Sequence, residues 1–302
     1  MSEKNAEAFA VRKESLFRLI DAAAMSPESQ TFAVIGGRVP AELASELEKS
    51  IRDLENSGKK VGFLLSDVWN DAALAYRAGW KFTSQSTIKA PYLTSVLREN
   101  GDIFCRERSL IRAVITRSDN DAYEELRERY GNAPFLRFCA EAGIDRRHGE
   151  VLYPRSITVR DMCRLWVPLF EFLNYRIDAR EYASYFSDTA MSAVHAALGG
   201  KFRVQTKAGW ESGTGEDAPG GVPEPRFVDG DPENDEIATN DTGVVYTDNG
   251  ACLIAVFSDV QCDPEALIPL IRALHRAYSG LIKEQEQQDR KTEKNDKKHH
   301  EP

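Results

Sequence analysis

Apolar residues follow two different periods along this chain. Residues 6–25 and 41–56 ("AELASELEKSIRDLEN") carry them at helical spacing, which predicts two amphipathic helices. Between these, "TFAVIGG" predicts a short strand ending in a glycine turn. "KVGFLLSD" and "AALAYRAG" are apolar runs of strand length, joined by a turn at Trp69-Asn70-Asp71. From residue 86 to about 198 the pattern is mostly helical, with polar breaks near Gly131 and Gly143. "FRVQTKAGW" reads as a strand after Gly199-Gly200, and "GVVYTDNGACLIAVFSDV" as a hairpin turning at Asn249-Gly250. A helix from about Pro264 to Ser279 follows.

This order of strands, a helical block, strands and a helix predicts an α/β (α+β) architecture. One antiparallel sheet, assembled from both ends of the chain, is flanked by helices and carries an inserted all-helical subdomain. The predicted boundaries are a helical extension over 1–40, a main domain over 41–283 and a disordered polar tail over 284–302. Within the main domain, 41–82 and 200–283 form the sheet part and 83–199 the helical part. Glu211 to Asp241 is rich in Gly, Pro and acid, with Arg226 its only basic residue, and reads as an exposed loop. His299 and His300 read as part of the solvated tail rather than as metal ligands. There is no internal repeat.

Composition narrows the partners. The formal net charge of −9 argues against nucleic acid and anionic membranes. Five cysteines without a C-x-x-C spacing argue against zinc or thioredoxin-type chemistry, and their odd number against a full disulfide framework. The N-terminal stretch has no long apolar run, so neither a signal peptide nor a membrane span is predicted, and the chain as written reads as cytoplasmic.

Serine and lysine three apart occur twice, at Ser57-Gly58-Lys59-Lys60 and Ser86-Thr87-Ile88-Lys89, where about one such pair is expected by chance. The first lies in a polar Ser-Gly-Lys turn and reads as punctuation. The second leads into Ile88, Tyr92, Leu93, Val96 and Leu97, an apolar set at helical spacing, with Pro91 in the first turn where its missing N–H costs nothing. Ser86 is thereby placed at a helix N-terminus, with Lys89 one turn on along the same face. Two further segments follow in order: Ser118-Asp119-Asn120 just past an apolar helix, and Lys207-Ala208-Gly209 on a strand. Taken singly, Ser86 reads better as an N-cap and Lys207 as a solvated edge charge, while Ser118-Asp119-Asn120 reads about as well as a capping turn.

Taken together, these segments resemble the penicillin-recognising serine enzymes, the class A β-lactamases and related penicillin-binding proteins, whose motif set is S-x-x-K, S-D-N and K-T-G. "KKVGFLLSDVWNDAALAYRAGWKFTSQSTIK" looks like that family's first two strands running into the nucleophile helix. "SITVRDMCRLW" looks like the opening of the helix after its Ω-loop, and "TGVVYTDNGACLIAVFSDV" like its last two strands, so residues 41 to 280 are roughly covered. The resemblance implies a serine hydrolase or acyltransferase working through a Ser86 acyl-enzyme, with weak β-lactamase activity among the expected properties. It needs no metal or organic cofactor and takes a small-molecule or peptide-like acyl substrate. The other reading is a binding or sensor domain that does not turn over.

The chemistry required is simple to state. A serine hydroxyl needs a base, and a lysine serves as one only if a second cation lowers its pKa. Lys89 is the candidate base and Lys207 the second cation. Ser118 passes protons, and Asn120 hydrogen-bonds a substrate amide. Gly209 completes the third motif beside Ala208. By resemblance, the backbone N–H groups of Ser86 and Trp210 form the oxyanion hole.

The pattern departs from the family in several places. The region matching the Ω-loop, "AGIDRRHGEVLYPRSIT", has no Glu-x-x-Leu-Asn run, and Glu150 reads as a surface acid. Efficient release of a β-lactam acyl group is therefore not expected. Ala208 stands where the family has Thr or Ser. Losing one hydrogen bond to a substrate carboxylate costs about 1.5–3 kcal/mol. The acidic stretch after the site strand would repel anionic substrates, which favours a neutral or cationic ester or amide. The short link between Ser86 and Ser118 predicts a more open cleft. Family members usually act outside the cytoplasm, so an internal role and a start upstream of this sequence are the two readings of the missing export signal.

Overall fold

The computed structural model describes residues 3–25, 31–211 and 237–299. Helix α1 (Glu3–Ala24) is followed by strand β1 (Ala33–Ile35) and helix α2 (Ala41–Asn56). Pro40 starts α2 with its φ already near the helical value, and Leu47 and Ile51 are its buried stripe. The helix ends at Ser57 and Gly58, whose N–H groups bond Leu54 O and Glu55 O, with Gly58 at φ +77°. The first Ser-x-x-Lys copy is therefore a helix terminus.

Strands β2 (Val61–Asp67) and β3 (Ala73–Tyr76) form the predicted pair, and β4 (Lys81–Phe82) leads into the helical layer. That layer contains α3 (Lys89–Glu99), α4 (Asp102–Arg106), α5 (Arg108–Arg117), α6 (Asn120–Tyr130) and α7 (Ala133–Glu141). Strand β5 (Ile157–Thr158) pairs with β4 and opens α8 (Val159–Tyr175), with α9 (Arg180–Tyr185) and α10 (Ala193–Leu198) beyond it. The chain returns to the sheet with β6 (Arg203–Glu211), β7 (Ala238–Thr247) and β8 (Gly250–Ser258), and closes with α11 (Ile268–His299). The main sheet has the order β1-β3-β2-β8-β7-β6, every pair antiparallel, so its strands come from both ends of the chain as predicted.

Both faces of this sheet are covered, which explains why β2 is apolar on both sides rather than alternating. One face packs Val61, Phe63 and Leu65 against Leu47 of α2, Val194 of α10 and Leu274 and Tyr278 of α11. The other packs Leu64, Leu253 and Phe257 against α3, α8 and α1, with Phe9, Leu16 and Ile20 inside this second core. Helix α1 thus belongs to the same packed body as the sheet, rather than extending from it, and β1 is an edge strand. Helix α3 is buried along its whole length from Lys89 to Leu97.

Two boundaries differ from the sequence reading. Strand β7 begins at Ala238, so Thr239, Asn240 and Asp241 are buried strand residues instead of the end of an exposed loop. Residues 212–236 of that stretch lie outside the described residues. Helix α11 runs on to His299, through residues expected to be disordered from 284. Lys, Glu and Gln are good helix formers, and the apolar first half of α11 nucleates the helix they continue. Among the described residues, no helix is long and apolar enough to cross a membrane.

Candidate active site

Residues Gln85–Ile88 form a single 3₁₀ turn that runs straight into α3, and Ser86 sits half-buried within it. Gln85 has φ +45°, an uncommon conformation for a residue with a side chain, immediately before the candidate nucleophile. The turn is held from several sides. Thr87 Oγ1 donates to Ser84 O at 2.5 Å, the Lys89 N–H bonds Ser86 O, and Asn240 Nδ2 donates to Thr83 O at 2.8 Å. Strand β6 passes so close that a Cβ on Gly209 would lie 2.6 Å from the Ser86 nitrogen and 2.8 Å from that of Thr87. Only glycine fits there.

Ser118-Asp119-Asn120 joins α5 to α6. Ser118 ends α5 in the left-handed region at φ +61°, and Asp119 caps α6 by accepting from the Ala122 N–H at 2.9 Å. The capping reading is therefore correct for Asp119, while its two neighbours face the lysines. Lys89 is fully buried and donates to Ser118 O at 2.7 Å and to Asn120 Oδ1. Lys207, 1 % exposed, donates to Ser118 Oγ at 2.9 Å and to Ala208 O at 2.7 Å. Because Lys207 donates to the Ser118 oxygen, the Ser118 O–H remains free to donate elsewhere. Lys89, Ser118, Asn120 and Lys207 are thus one contiguous group.

Two buried lysines on one serine repel each other. Burial, and after it the charge of Lys89, hold the Lys207 ammonium well below its ordinary 10.5, with Asp241 acting in the opposite direction. The faces of Tyr123 and Tyr153, each with its centroid 5.5 Å from Lys89 Nζ, offset part of the charge. Burial pushes the Tyr123 phenol up to about 12, so this ring is neutral at pH 7.

Strand β6 is the last strand of the sheet. The Thr206 N–H bonds Phe186 O instead of β7, which places the N–H groups of Ala208 and Trp210 on the same free edge by strand alternation. The Trp210 N–H therefore lies next to Gly209, on which the Ser86 nitrogen packs. Ala208 pairs with Asp241 in register, so its methyl shares the sheet face opposite Lys207 and Gly209 and is 1 % exposed. Its role at the cleft is confined to its backbone.

Sequence reasoning missed two residues here. Asp241 is fully buried behind β6, where its carboxylate accepts from Ser192 Oγ at 2.6 Å, the Val194 N–H at 2.8 Å and the Thr242 N–H at 2.9 Å. Burial outweighs these bonds and the Lys207 charge, so its pKa is raised to about 6. The buried start of β7 would have revealed it. The second is Tyr153, whose hydroxyl donates to Asn120 Oδ1 at 2.9 Å. It comes from the loop where the family resemblance seeks a glutamate. Glu150 of that loop is exposed, and its carbonyl accepts from Asn132 Nδ2 at 3.2 Å. Among the described residues, no group of three His, Cys, Asp or Glu side chains is placed to hold a metal ion.

Two buried lysines thus meet at Ser118, beside an edge strand whose Gly209 packs on the Ser86 turn. A model of the β-lactamase enzyme family matches residues 106–278, and the chain belongs to that family. The match includes Ser118-Asp119-Asn120 and Lys207-Ala208-Gly209 and begins after the Ser86 turn. No curated protein matches the sequence. Among solved structures, the β-lactamase from Sphaerobacter thermophilus is similar at 16 % identity and a TM-score of 0.59, over 80 % of this chain and 98 % of that one. A variant of the reconstructed class A β-lactamase of the last common ancestor of Gram-negative bacteria is similar at 20 % identity and 0.57, over 78 % and 98 %. A PBP-A mutant solved as its acyl-enzyme complex with penicillin G is similar at 17 % identity and 0.56, over 79 % and 98 %. At these identities the likeness concerns the fold: mixed helix and antiparallel sheet of the β-lactamase and transpeptidase type.

Proposed function

We propose that the protein is a serine hydrolase that transfers an amide, lactam or ester acyl group to Ser86. The observation that carries this reading is the buried chain of contacts from Lys89 through Ser118 to Lys207, beside a turn on which only a glycine strand can pack. Lys89, when neutral, takes the proton of Ser86 Oγ as that oxygen bonds the acyl carbon. The N–H groups of Ser86 and Trp210 hold the developing oxyanion. The leaving group receives its proton from Ser118, which is resupplied by Lys207. Water then splits the ester to Ser86 and regenerates the hydroxyl. Asn120, whose Oδ1 accepts from Lys89 and Tyr153, hydrogen-bonds the substrate amide.

The loop wall supports slow release of the acyl group, since neither Tyr153 nor the exposed Glu150 offers a carboxylate beside Lys89 to activate water. Weak β-lactamase activity with a long-lived penicillin adduct is the expected form, and a sensor that is acylated without turnover is the second reading. The acidic residues after Glu211 support a neutral or cationic ester or amide as preferred substrate. Turnover of a penicillin and of a neutral activated ester, each beside Ser86→Ala, tests this. Ester hydrolysis that disappears in Ser86→Ala supports a hydrolase. Hydrolysis unchanged in Ser86→Ala overturns it, and an adduct without product on either substrate favours the sensor.

A further inference from the structure

Behind the site strand, four side chains form one row of hydrogen bonds. Thr189, half-buried on the loop between α9 and α10, has its Oγ1 2.8 Å from Thr206 Oγ1. Thr206 Oγ1 donates to Ser192 Oγ at 2.9 Å, and Ser192 Oγ donates to Asp241 Oδ2 at 2.6 Å. The direction of the row is set at its inner end. Ser192 Oγ also accepts the His195 N–H at 3.0 Å, as the cap of α10, so both its lone pairs are engaged and its one proton goes to the carboxylate. Thr206 gives its proton to Ser192 and therefore accepts from Thr189. Every O–H in the row points toward Asp241, and the Val194 and Thr242 N–H groups add two more donors. Such a set of donors favours the ionised carboxylate.

On the strand side, Asp241 lies opposite Ala208, and the next pair in register is Thr242 with Lys207. The carboxylate and the Lys207 ammonium thus lie on opposite faces of one strand pair, and both are buried. Each acts on the other: the Asp241 charge raises the pKa of Lys207, and the Lys207 charge lowers that of Asp241. Buried charges are weakly screened, so this attraction acts through the sheet. The other charged or titratable groups on the surrounding elements are Lys89 on α3, Arg203 on β6, the exposed His195 on α10, and Arg272 and His275 on α11. Lys89 acts on Lys207 in the opposite sense to Asp241, and Arg203 lies over the Tyr246 ring.

We infer that Asp241 is a positioning residue acting through Lys207: the row of hydroxyls holds its carboxylate ionised behind β6, and that charge keeps on Lys207 the proton that Ser118 draws upon. The kinetic part of this inference rests on the acyl-enzyme reading above.

The test uses the native protein, Asp241→Asn, Lys207→Met and Thr206→Val. Thr206→Val keeps the shape of the side chain and removes one link of the row. Without substrate, the Asp241 carboxyl carbon and the Lys207 ε-carbon are followed by carbon-13 NMR across pH. The Asp241 signal should titrate at about 6 in the native protein, and at higher pH in both Lys207→Met and Thr206→Val. The Lys207 signal should titrate at lower pH in Asp241→Asn than in the native protein. Such reciprocal shifts follow from coupled proton binding, and a carboxylate that serves only to cap α10 would not produce them. With a neutral activated ester, the alkaline limb of Ser86 acylation, where Lys207 loses its proton, should move to lower pH in Asp241→Asn and, by less, in Thr206→Val. A Lys207 titration unchanged in Asp241→Asn, or an Asp241 titration unchanged in Lys207→Met and Thr206→Val, overturns the inference. So does an alkaline limb that stays in place in a protein that forms the adduct. Should Asp241→Asn fail to fold, the Asp241 titration in the other two variants carries the test. If the native protein forms no Ser86 adduct, the acyl-enzyme reading has failed, and the reciprocal titrations alone decide the role of Asp241.

Discussion

The two walls of the cleft are built by opposite means. On one side, residues 86–89, 118–120 and 207–210 bring two buried lysines to a single serine, an electrostatically costly arrangement held by strand and helix. On the other side, residues 145–154 are fastened through backbone carbonyls and present the Tyr153 hydroxyl to Asn120. On the acyl-enzyme reading proposed above, the first wall would supply the base, the proton relay and the oxyanion donors. The second wall brings the Tyr153 hydroxyl to Asn120 and leaves Glu150 exposed.

The largest expected effect falls on the lysine wall. Lys207→Met should slow acylation of Ser86 by about 10³-fold, the usual scale for removing a proton-transfer group. It should also make the protein more stable near neutral pH. The folded-state pKa of Lys207 lies below 10.5, so its burial costs stability at pH below that lowered value, and the cost lifts as pH rises towards 10.5. The melting temperature of the native protein should rise across that window, and that of Lys207→Met should not. A variant that loses stability together with activity would show that the lysine serves packing.

Gly209→Ala should come next, at about 10²-fold, because its Cβ would push the Ser86 turn away from β6. Unchanged acylation would separate the strand from the nucleophile. Asp241→Asn should change the rate only a few-fold and alter stability instead. Its folded pKa is raised to about 6, so the stability it contributes is complete below the ordinary 3.8 and is lost as pH rises through about 6. About 3 kcal/mol of slope between those pH values should vanish in Asp241→Asn, as read from denaturant unfolding. A slope retained in the variant would place its origin elsewhere. The smallest effect is expected from deleting residues 212–236: a several-fold gain for an anionic substrate relative to its neutral match at low salt. An unchanged ratio would remove that segment from substrate selection.

Much of this was legible in the sequence, for reasons that differ by residue. The helix over 41–56 and the hairpin at Asn249-Gly250 follow from local spacing and turn chemistry, which tertiary packing did not override. That Lys89, Ser118, Asn120 and Lys207 come together was legible because the order of the three segments was more informative than any one motif. Tyr153 was not, since a single tyrosine in a polar loop carries no spacing signal, and its meaning comes from the pinned carbonyls around it. Asp241 was hidden by composition: it follows a run of acids, yet it is a strand residue whose burial depends on Ser192 and Val194, nearly fifty positions away. Composition also misread the residues after 284, because the polar residues that suggest disorder are also good helix formers once an apolar turn has started the helix.

The central claim is that Ser86 is a nucleophile activated by the lysine wall. Intact-protein mass spectrometry after mixing with a neutral activated ester and with a penicillin, followed by peptide mapping, tests it most directly. The account predicts a covalent acyl adduct on the peptide holding Ser86, slowed in Lys207→Met, absent in Ser86→Ala and, for penicillin, slow to disappear. An adduct that maps elsewhere, persists in Ser86→Ala or never forms with either reagent would contradict it.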